Sequence, residues 1–389
     1  MLSFRYSSPN EWDLRISRRR MKGFLIVNAI NVVSFFDERM AIQGAILAAS
    51  LADTATAERP VKFHVFCIGD FQERFVGLVE CLSSPSFSVI CNDIDNPFDR
   101  GIPAAYFNHI YCMRLCVGEL LQCDRVLYLD ADTFVRESVS DLYDVDLGDK
   151  VIAAVNDKVF NLNLMKDSNQ TYFSGMTKVN VHDYYRRVIG IKGAYFNSGV
   201  LLIDLKKWRA AGVKERCLDF LQKHVTALFC DQDALNFALG DRALLVGYEW
   251  NFMADPGDLS DLSSPARGPR IIHFSGPSKP WSPLGRPCAF YSEYWEHVAS
   301  TPYGDALVEQ FIGRASFEAA NLEASIASNA AIIPSPIRPI EIAWAKYVPS
   351  VLLKPLAEAL CTLGRGRVHR AGVAMWNVFK SRQLRVSAG

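Results

Sequence analysis

A short apolar segment that ends in two acids constrains this chain more than any other feature. Residues 125–135 read RVLYLDADTFV, with four apolar residues before Asp130 and Asp132. A short apolar run bounded by polar residues predicts a strand buried on both faces of a sheet. Residues i and i+2 of a strand point to the same side, and two like charges this close repel unless a cation neutralises them. The pattern therefore favours a divalent metal site over the alternative of a solvated strand end.

Predicted strands alternate with predicted helices on the N-terminal side of this segment. Residues 31–36, 61–67 and 87–94 predict three strands, and residues 40–52 and 105–122 predict helices. This alternation predicts an α/β fold with a mostly parallel sheet and helical crossovers. Open α/β sheets bind their ligands at the carboxyl ends of the strands, where the two acids are expected to lie.

The C-terminal half of the chain continues this pattern after an interruption. Residues 156–194 are polar and predict a long excursion over the active face of the sheet. Residues 195–208 predict a strand and then a helix, residues 214–240 predict a helix, and residues 271–274 predict a short strand. The length of 389 residues and the hydrophobic share of 50% suit one large domain with an appendage, or two domains.

A single histidine follows the last predicted strand, in the sequence IIHFSGPSKPW. Such a histidine is often a buried structural residue, and that alternative stays open for His273. Here, however, Gly276 allows a close backbone approach to a phosphate, and Lys279 supplies a positive charge. One imidazole with two carboxylates suits Mn²⁺ well and Mg²⁺ less well. The loop therefore offers a third metal ligand together with contacts for a pyrophosphate.

Three polar residues open a predicted apolar helix in the sequence CDQDALN. One interpretation of Asp231, Gln232 and Asp233 is a helix N-cap with first-turn acids that complement the helix dipole. The other interpretation places Asp231 or Gln232 beside the reacting carbon of a substrate. The pattern alone leaves both interpretations open.

Taken together, these motifs make the chain resemble glycosyltransferase family 8, which includes bacterial lipopolysaccharide galactosyl- and glucosyltransferases and glycogenin. The resemblance covers roughly residues 31–300 and depends on the motifs YLDADTFV, YFNSGVLLIDLKKW, DQDALN, NFM at 251–253 and HFSGPSKPW. The resemblance implies a single Rossmann-like nucleotide-sugar-binding domain of the GT-A type, with a mixed, mostly parallel sheet and a helical C-terminal appendage. It also implies retaining transfer of a hexose, galactose or glucose, from a UDP-sugar to a saccharide acceptor, in lipopolysaccharide or other cell-surface glycan synthesis.

The resemblance implies a metal site and a catalytic pair at matching positions. Asp130 and Asp132 match the metal-binding D-x-D motif, and His273 matches a third protein ligand, with Mn²⁺ as the expected ion and Mg²⁺ as the alternative. Asp231 and Gln232 match the pair that lies nearest the anomeric carbon.

Donor contacts are also implied by position. The site at the end of the first strand reads FFDER, whereas the family often has a smaller residue in place of Phe35 and an asparagine near Arg39. The matching positions are Phe35 and Asp37 at the uridine, Arg114, Asp130, Ala131 and Asp132 along the donor, Asp157, Asn197 and Ser198 at the hexose hydroxyls, and Gly276 and Lys279 at the diphosphate.

Two retaining routes are compatible with these residues. In the first, the acceptor hydroxyl attacks from the face that UDP leaves, and a phosphate oxygen takes its proton. In the second, Asp231 or Gln232 forms a transient covalent adduct. Retaining glycoside hydrolases use two carboxyl groups about 5–5.5 Å apart, and the sequence shows no clear nucleophile of that kind. Glutamine is a poor nucleophile, which favours the first route.

Composition and resemblance together divide the chain into four segments. Residues 1–22 form a polar N-terminal extension, residues 23–300 the GT-A catalytic domain, and residues 301–339 a helix and proline-rich linker. Residues 340–389 form a basic, aromatic tail that is predicted to be helical.

The tail carries a charge asymmetry. The net charge of the chain is zero, yet residues 331–389 contain nine basic and two acidic residues. Val373, Trp376 and Phe379 recur at helical spacing among the basic residues, as in a helix that lies on an anionic membrane. The alternative is a helical cap that packs on the core with a solvated basic face.

Other classes of protein fit the sequence less well. There is no G-x-G-x-x-G after a strand and no G-x-x-x-x-G-K-[ST], which argues against a dehydrogenase or a kinase. The ten cysteines show no zinc-binding spacing, and no nucleic-acid recognition motif accompanies the basic residues. The expected location is cytoplasmic, on the inner face of the cytoplasmic membrane if the tail binds lipid. The alternative function is a non-catalytic nucleotide-sugar-binding or membrane-surface scaffold protein.

Overall fold

A computed structural model of the chain divides into two compact units. The first unit comprises Met1–Phe252 and Pro265–His273, and the second comprises Met253–Ser264 and Phe274–Gly389. The structure describes residues 16–20, 28–69, 71–94, 109–157, 171–174, 177–180, 184, 189–190, 194–224, 227, 229–254, 268–276, 279–282 and 290–311.

Thirteen strands are present in the described residues. They are β1 (Ile16–Arg20), β2 (Ile30–Asp37), β3 (Val61–Ile68), β4 (Phe87–Ile94), β5 (Arg125–Leu129), β6 (Thr133–Val135), β7 (Ile152–Asn156), β8 (Thr171–Ser174), β9 (Thr177–Asn180), β10 (Phe196–Asp204), β11 (Ala243–Val246), β12 (Phe252–Met253) and β13 (Ile271–His273).

Helices connect most of these strands. The named α-helices within the described ranges are α1 (Ala41–Thr54), α2 (Gln72–Val79), α3 (His109–Cys112), α4 (Val117–Leu120), α5 (Ser140–Tyr143), α6 (Leu205–Ala210), α7 (Val213–Lys223), α8 (Cys230–Leu239) and α9 (Tyr291–Ser300). Residues 304–311 are helical as well. Short 3₁₀ turns occupy Glu38–Met40, Glu80–Leu82, Met113–Cys116, Gly240–Arg242 and Tyr248–Trp250.

An eight-stranded sheet forms the centre of the first unit, in the order β1-β4-β3-β2-β5-β10-β7-β11. The neighbours from β4 to β5 are parallel, as are β7 and β11, whereas β1, and β10 on both of its edges, pair antiparallel. β8 and β9 form a separate antiparallel pair. The predicted α/β fold with a mixed, mostly parallel sheet is therefore confirmed, and the strands predicted at 31–36, 61–67 and 87–94 correspond to β2, β3 and β4.

The prediction that Asp130 and Asp132 are the last residues of the buried strand is wrong. β5 ends at Leu129, and β6 begins only at Thr133. A tight turn separates them, closed by bonds from the Thr133 N–H at 3.1 Å and the Thr133 hydroxyl at 2.7 Å to the Asp130 carbonyl oxygen. The two acids therefore lie in a turn at the carboxyl end of β5.

Two helix predictions also need correction. Residues 214–240 form two helices, because α7 ends at Lys223 and α8 begins at Cys230. The helix predicted at 105–122 is described from His109, where α3 and α4 flank the 3₁₀ turn Met113–Cys116. Residues 16–20, within the predicted N-terminal extension, form the edge strand β1.

The second unit has an aromatic core of its own. Trp295 on α9 donates from Nε1 to the Pro280 carbonyl oxygen at 3.0 Å, and its ring meets that of Phe311 edge-on with centroids 6.0 Å apart. Phe274 and Tyr294 pack in the same way at 5.1 Å. The proline-rich part of the linker and the tail at residues 340–389 lie outside the described residues. Across the described ranges, no helix combines the length and the hydropathy that a membrane span requires.

Candidate active site

Strand pairing brings the predicted third ligand to the two acids. β13 pairs antiparallel with β6, which sets His273 opposite Thr133, the residue after Asp132. The His273 Nε2 atom lies 3.3 Å from Asp132 Oδ1 and 3.8 Å from Asp130 Oδ2. One ligand atom from each of the three residues falls within 4.8 Å of the others. Two carboxylates and an imidazole at this spacing fit a divalent cation.

The imidazole has a second partner that suits a metal ligand. His273 Nδ1 lies 3.0 Å from Asn251 Oδ1. This contact holds the ring through the nitrogen that does not face the two acids. Metal-binding histidines usually have such a hydrogen bond on the nitrogen that does not bind the ion. The sequence NFM is one of the motifs of the resemblance, but the sequence alone predicts no role for Asn251. An asparagine between the aromatic residues Trp250 and Phe252 is the sequence signal that could have indicated one.

Gly199 on β10 makes room for this cluster. A Cβ atom at position 199 would lie 2.2 Å from His273 Cε1 and 3.0 Å from Asp130 Oδ2. Glycine is therefore required by the close approach of the imidazole to the strand.

A buried arginine links the acids of the cluster to the DQD motif. Arg114 Nη2 lies 2.8 Å from Asp130 Oδ1, and Arg114 Nε lies 3.0 Å from Asp231 Oδ2. Its guanidinium also lies over the Tyr128 ring, 4.6 Å from the centroid, and the Tyr128 hydroxyl donates a short hydrogen bond to Asp130. Burial lowers the pKa of Arg114, but the charges of Asp130 and Asp231 outweigh it and raise that pKa overall. Arg114 is therefore a permanent cation between two carboxylates.

Asp231 is the carboxylate near Arg114 whose negative charge is least well stabilised. Burial raises its pKa to about 6, with a further contribution from Asp130, although Arg114 opposes the rise. The contact with Arg114 is short enough for an ion pair but not aligned as a hydrogen bond, so Asp231 Oδ2 accepts no hydrogen bond within the described part of the chain. Asp231 is therefore a carboxylate that titrates close to neutral pH.

The other two residues of the DQD motif have different environments. Asp233 is fully buried and accepts hydrogen bonds from the Tyr184 and Tyr195 hydroxyls, both at 2.7 Å, and from the Phe229 N–H at 2.8 Å. The N-cap interpretation of the motif is wrong in one part, because the N-cap residue of α8 is Phe229 and has no side-chain capping bond. Its other part is confirmed, since Asp231 and Asp233 lie in the first turn of the helix. Gln232 instead bonds to Ser198 on β10 and to Asp157, the residue that follows β7. The motif therefore combines a structural acid with two residues that face the site.

An amide network connects Gln232 to the predicted hexose-binding residues. The Ser198 N–H donates to Gln232 Oε1 at 3.0 Å, and Gln232 Nε2 donates to Asp157 Oδ2 at 3.1 Å. Asn197 Nδ2 donates to the same Asp157 oxygen at 3.2 Å. The Arg114 Nη1 group donates to the Ser198 carbonyl oxygen at 2.7 Å. The structure therefore brings these predicted residues together around one end of β10.

The same network continues to the histidine. Asn197 Oδ1 accepts from the Gly199 N–H at 2.9 Å and from Asn251 Nδ2 at 2.8 Å. The register of β10 against β7 shifts between Asn197 and Leu201, which is the signature of a β-bulge. A bulge removes backbone groups from the hydrogen-bond ladder between two strands. Here the consecutive N–H groups of Ser198 and Gly199 donate to the side chains of Gln232 and Asn197 instead.

The remaining predicted donor contacts lie in different settings. Phe35 is buried, and its ring centroid lies 5.0 Å from that of Phe66. Asp37 Oδ2 accepts a hydrogen bond from Arg39 Nε at 2.7 Å. Ala131 lies in the turn between the two acids. In the second unit, Gly276 has a φ of +74°, and Lys279 Nζ donates to the Phe274 carbonyl oxygen at 2.5 Å. Their contacts with a donor remain predictions.

A mixed α/β sheet with a potential metal site at its strand ends is typical of glycosyltransferases of the GT-A type. The profile of glycosyl transferase family 8 matches residues 42–285, more than half of the chain. The chain belongs to glycosyl transferase family 8.

Known relatives agree with this assignment. General stress protein A of Bacillus subtilis is 25% identical over 291 residues, which cover 70% of this chain and 94% of that protein. Lipopolysaccharide 1,3-galactosyltransferase of Salmonella typhimurium is 27% identical over 268 residues, covering 63% and 73%. The solved structure of the galactosyltransferase LgtC with donor and acceptor sugar analogues has a TM-score of 0.57 at 24% identity, covering 70% and 96%, and shares the fold.

Proposed function

We propose that this glycosyltransferase is a metal-dependent, retaining hexosyltransferase that uses a UDP-sugar donor and a saccharide acceptor. The observation that carries the proposal is the cluster of Asp130, Asp132 and His273, whose ligand atoms lie within 4.8 Å of one another. This donor set favours Mn²⁺, with Mg²⁺ as the alternative. The name of the Salmonella relative supports galactose as the hexose and lipopolysaccharide or another cell-surface glycan as the acceptor. Glucose is the alternative hexose.

A cation held by the cluster would stabilise the negative charge that develops on the leaving diphosphate. The protein's own contribution is to bind and orient the donor. In our proposal, Asp157, Asn197 and Ser198 hold the hexose hydroxyls, and the permanent charge of Arg114 faces the donor. The proposed contacts at the uridine and the diphosphate are Phe35, Asp37, Gly276 and Lys279.

The proposed route is attack by the acceptor hydroxyl from the face that UDP leaves, with a donor phosphate oxygen as the proton acceptor. Gln232 Oε1 already accepts the Ser198 N–H, so it acts as an oriented dipole near developing positive charge, and an amide oxygen is a weak nucleophile. Asp231 is paired with Arg114. Mass spectrometry of the enzyme after incubation with a donor tests this route. A hexose adduct on Asp231 or Gln232 would contradict it.

A donor screen tests the activity. Purified protein with Mn²⁺ is incubated with several UDP-sugars, UDP release is measured, and NMR reports the anomeric configuration of the product. We expect release from UDP-galactose or UDP-glucose, retention of configuration, and a loss of about 10²-fold or more for Asp130→Asn. The matched control is Asp124→Asn, which removes an exposed carboxylate that pairs with Lys206. Binding of a UDP-sugar without any release would favour the scaffold alternative.

We also propose that the reaction takes place in the cytoplasm at the inner face of the membrane. The basic residues of the tail at 340–389 and the aromatic residues between them support this location, since anionic lipid attracts such segments. An acceptor linked to lipid would be presented at that surface.

A further inference from the structure

We propose that Asn251 is a positioning residue that fixes His273 in the Nδ1–H tautomer and leaves Nε2 without hydrogen. The tautomer follows from hydrogen bonds alone. Only its consequence, a stronger affinity for the metal ion, rests on the function proposed above. Its evidence is a chain of hydrogen bonds. Two backbone N–H groups, which can only donate, determine the orientations of the Asn197 and Gln232 amides, and the Asn197 amide determines that of Asn251.

The chain begins at the β-bulge of β10. The Gly199 N–H donates to a side-chain atom of Asn197 at 2.9 Å, so that atom must be the oxygen, Oδ1. The nitrogen of the same amide then faces Asp157 Oδ2 at 3.2 Å. An independent backbone group agrees, because the Ser198 N–H fixes Gln232 Oε1 and directs Gln232 Nε2 to the same carboxylate oxygen.

The orientation passes from Asn197 to Asn251. The atom of Asn251 that lies 2.8 Å from Asn197 Oδ1 must be a donor, which is Nδ2. The Asn251 oxygen therefore faces His273 Nδ1 at 3.0 Å. An amide oxygen carries no hydrogen, so the ring nitrogen must donate. A neutral imidazole has only one N–H, and Nε2 is left with a free lone pair.

That lone pair points toward the proposed metal site. Nε2 lies 3.3 Å from Asp132 Oδ1 and 3.8 Å from Asp130 Oδ2. Asn251 and His273 are both buried, so water is a poor substitute for the amide if it is removed. Loss of an outer partner of a metal-binding histidine typically weakens metal affinity by about 10–100-fold.

The first experiment measures the tautomer directly in the full-length, metal-free protein. Histidine is labelled with ¹⁵N, and long-range ¹H–¹⁵N correlation at pH 8 distinguishes Nδ1–H from Nε2–H. His273→Gln identifies the His273 signals among those of the seven histidines. We expect the Nδ1–H pattern for His273. A clear Nε2–H pattern would overturn the inference without any need for a variant at position 251.

The second experiment measures Mn²⁺ binding by titration calorimetry. Asn251→Leu removes both polar atoms at similar volume, and we expect a dissociation constant about 10–100-fold higher than that of the wild type. The control is Asn92→Leu, which removes a buried asparagine of β4 that bonds the Val65 carbonyl oxygen. We expect this control to keep wild-type affinity. An Asn251→Leu protein that binds Mn²⁺ within about twofold of the control would overturn the inference.

The two proposals fail in distinguishable ways. A wild-type protein that carries the Nδ1–H tautomer yet binds no Mn²⁺ would support the orientation of His273 by Asn251 and contradict metal-dependent transfer. A wild-type protein that binds Mn²⁺ and transfers hexose, but shows Nε2–H on His273, would contradict only the role of Asn251.

Discussion

Within the DQD motif, Asp231 and Asp233 lie in opposite electrostatic environments. Asp233 has three hydrogen-bond donors in a fully buried site, whereas Asp231 meets Arg114 in an ion pair that is not aligned as a hydrogen bond. The carboxylate of Asp231 is thus held in a site that disfavours its charge. Ionisable groups with a pKa shifted in this way are frequent at functional sites. The contrast between Asp231 and Asp233 therefore supports a catalytic or donor-binding role for Asp231.

Asp231→Asn is expected to stabilise the protein at pH 7 while it reduces transfer. The folded-state pKa of about 6 lies above the ordinary value of 3.8, so the folded state binds more protons between these values. The contribution of Asp231 to the free energy of unfolding therefore falls as the pH rises through about 6. A permanently neutral side chain avoids this cost, which amounts to roughly 1–3 kcal/mol.

Urea unfolding with a chelator present, at pH 4 and pH 7, measures this effect. We expect the gain in Asp231→Asn relative to wild type to be larger at pH 7 than at pH 4. A variant that is less stable than wild type at pH 7 would contradict the account of Asp231.

Gly199→Ala should disturb the metal cluster through sterics alone. The added Cβ would lie 2.2 Å from His273 Cε1, so the ring must move. We expect a loss of about 1–3 kcal/mol in the free energy of unfolding and a weaker affinity for Mn²⁺, both measurable on the purified protein.

The matched control is Gly77→Ala in α2, where the added atom meets nothing within 4 Å. This variant should gain about 0.5–1 kcal/mol, because alanine favours helices over glycine. Equal Mn²⁺ affinity in both variants would contradict the close packing of His273 against β10.

Among the elements, the strands are easier to predict than their ends. Apolar runs predict β2 and β5, because burial on both faces leaves a strong signal in the sequence, and alternation followed by an apolar run predicts β3. The turn after Leu129 leaves no such signal, because the bond that closes it, from the Thr133 N–H to the Asp130 carbonyl oxygen at 3.1 Å, joins backbone groups. The break between α7 and α8 is not predicted, because no glycine or proline marks it in the sequence.

The candidate site also has one part that the sequence predicts and one part that it does not. Residue types and order predict the ligand set Asp130, Asp132 and His273, and the strand pair β6–β13 brings it together. The amide network through Asn251 could not be predicted, because it depends on the bulge in β10 and on a hydrogen bond between residues that are far apart in the sequence.

The start of α8 depends on one buried carboxylate, which can be tested at this scale. Asp233→Ala leaves two tyrosine hydroxyls and the Phe229 N–H without their acceptor. We expect a loss of about 2–4 kcal/mol in the free energy of unfolding, measured by urea titration. Asp219→Ala on α7 removes an exposed acid that pairs with Lys223 and should change stability by less than about 0.5 kcal/mol. A similar small effect at Asp233 would contradict its role in holding the helix.

At the scale of the whole molecule, the charge of the tail predicts membrane binding. Replacing Arg365, Arg367 and Arg370 by glutamate should weaken binding to vesicles that contain phosphatidylglycerol, since each basic residue contributes about 1 kcal/mol. Flotation of the full-length protein measures the bound fraction.

The control for this experiment replaces Arg74, Lys206 and Lys223, three exposed basic residues of the first unit, by glutamate. It changes the net charge equally but leaves the tail intact. If the control and the tail variant lose binding to the same extent, the tail has no specific part in it.

The central claim is that one cation, bound by Asp130, Asp132 and His273, is required for hexose transfer. The most direct measurement is the rate of UDP release from the preferred UDP-sugar after exhaustive chelation and then after Mn²⁺ is restored. We predict loss of the rate on chelation, recovery with Mn²⁺ in the wild type, and little recovery in His273→Gln at the same concentration. A full rate of transfer in the chelated wild-type enzyme would contradict the claim.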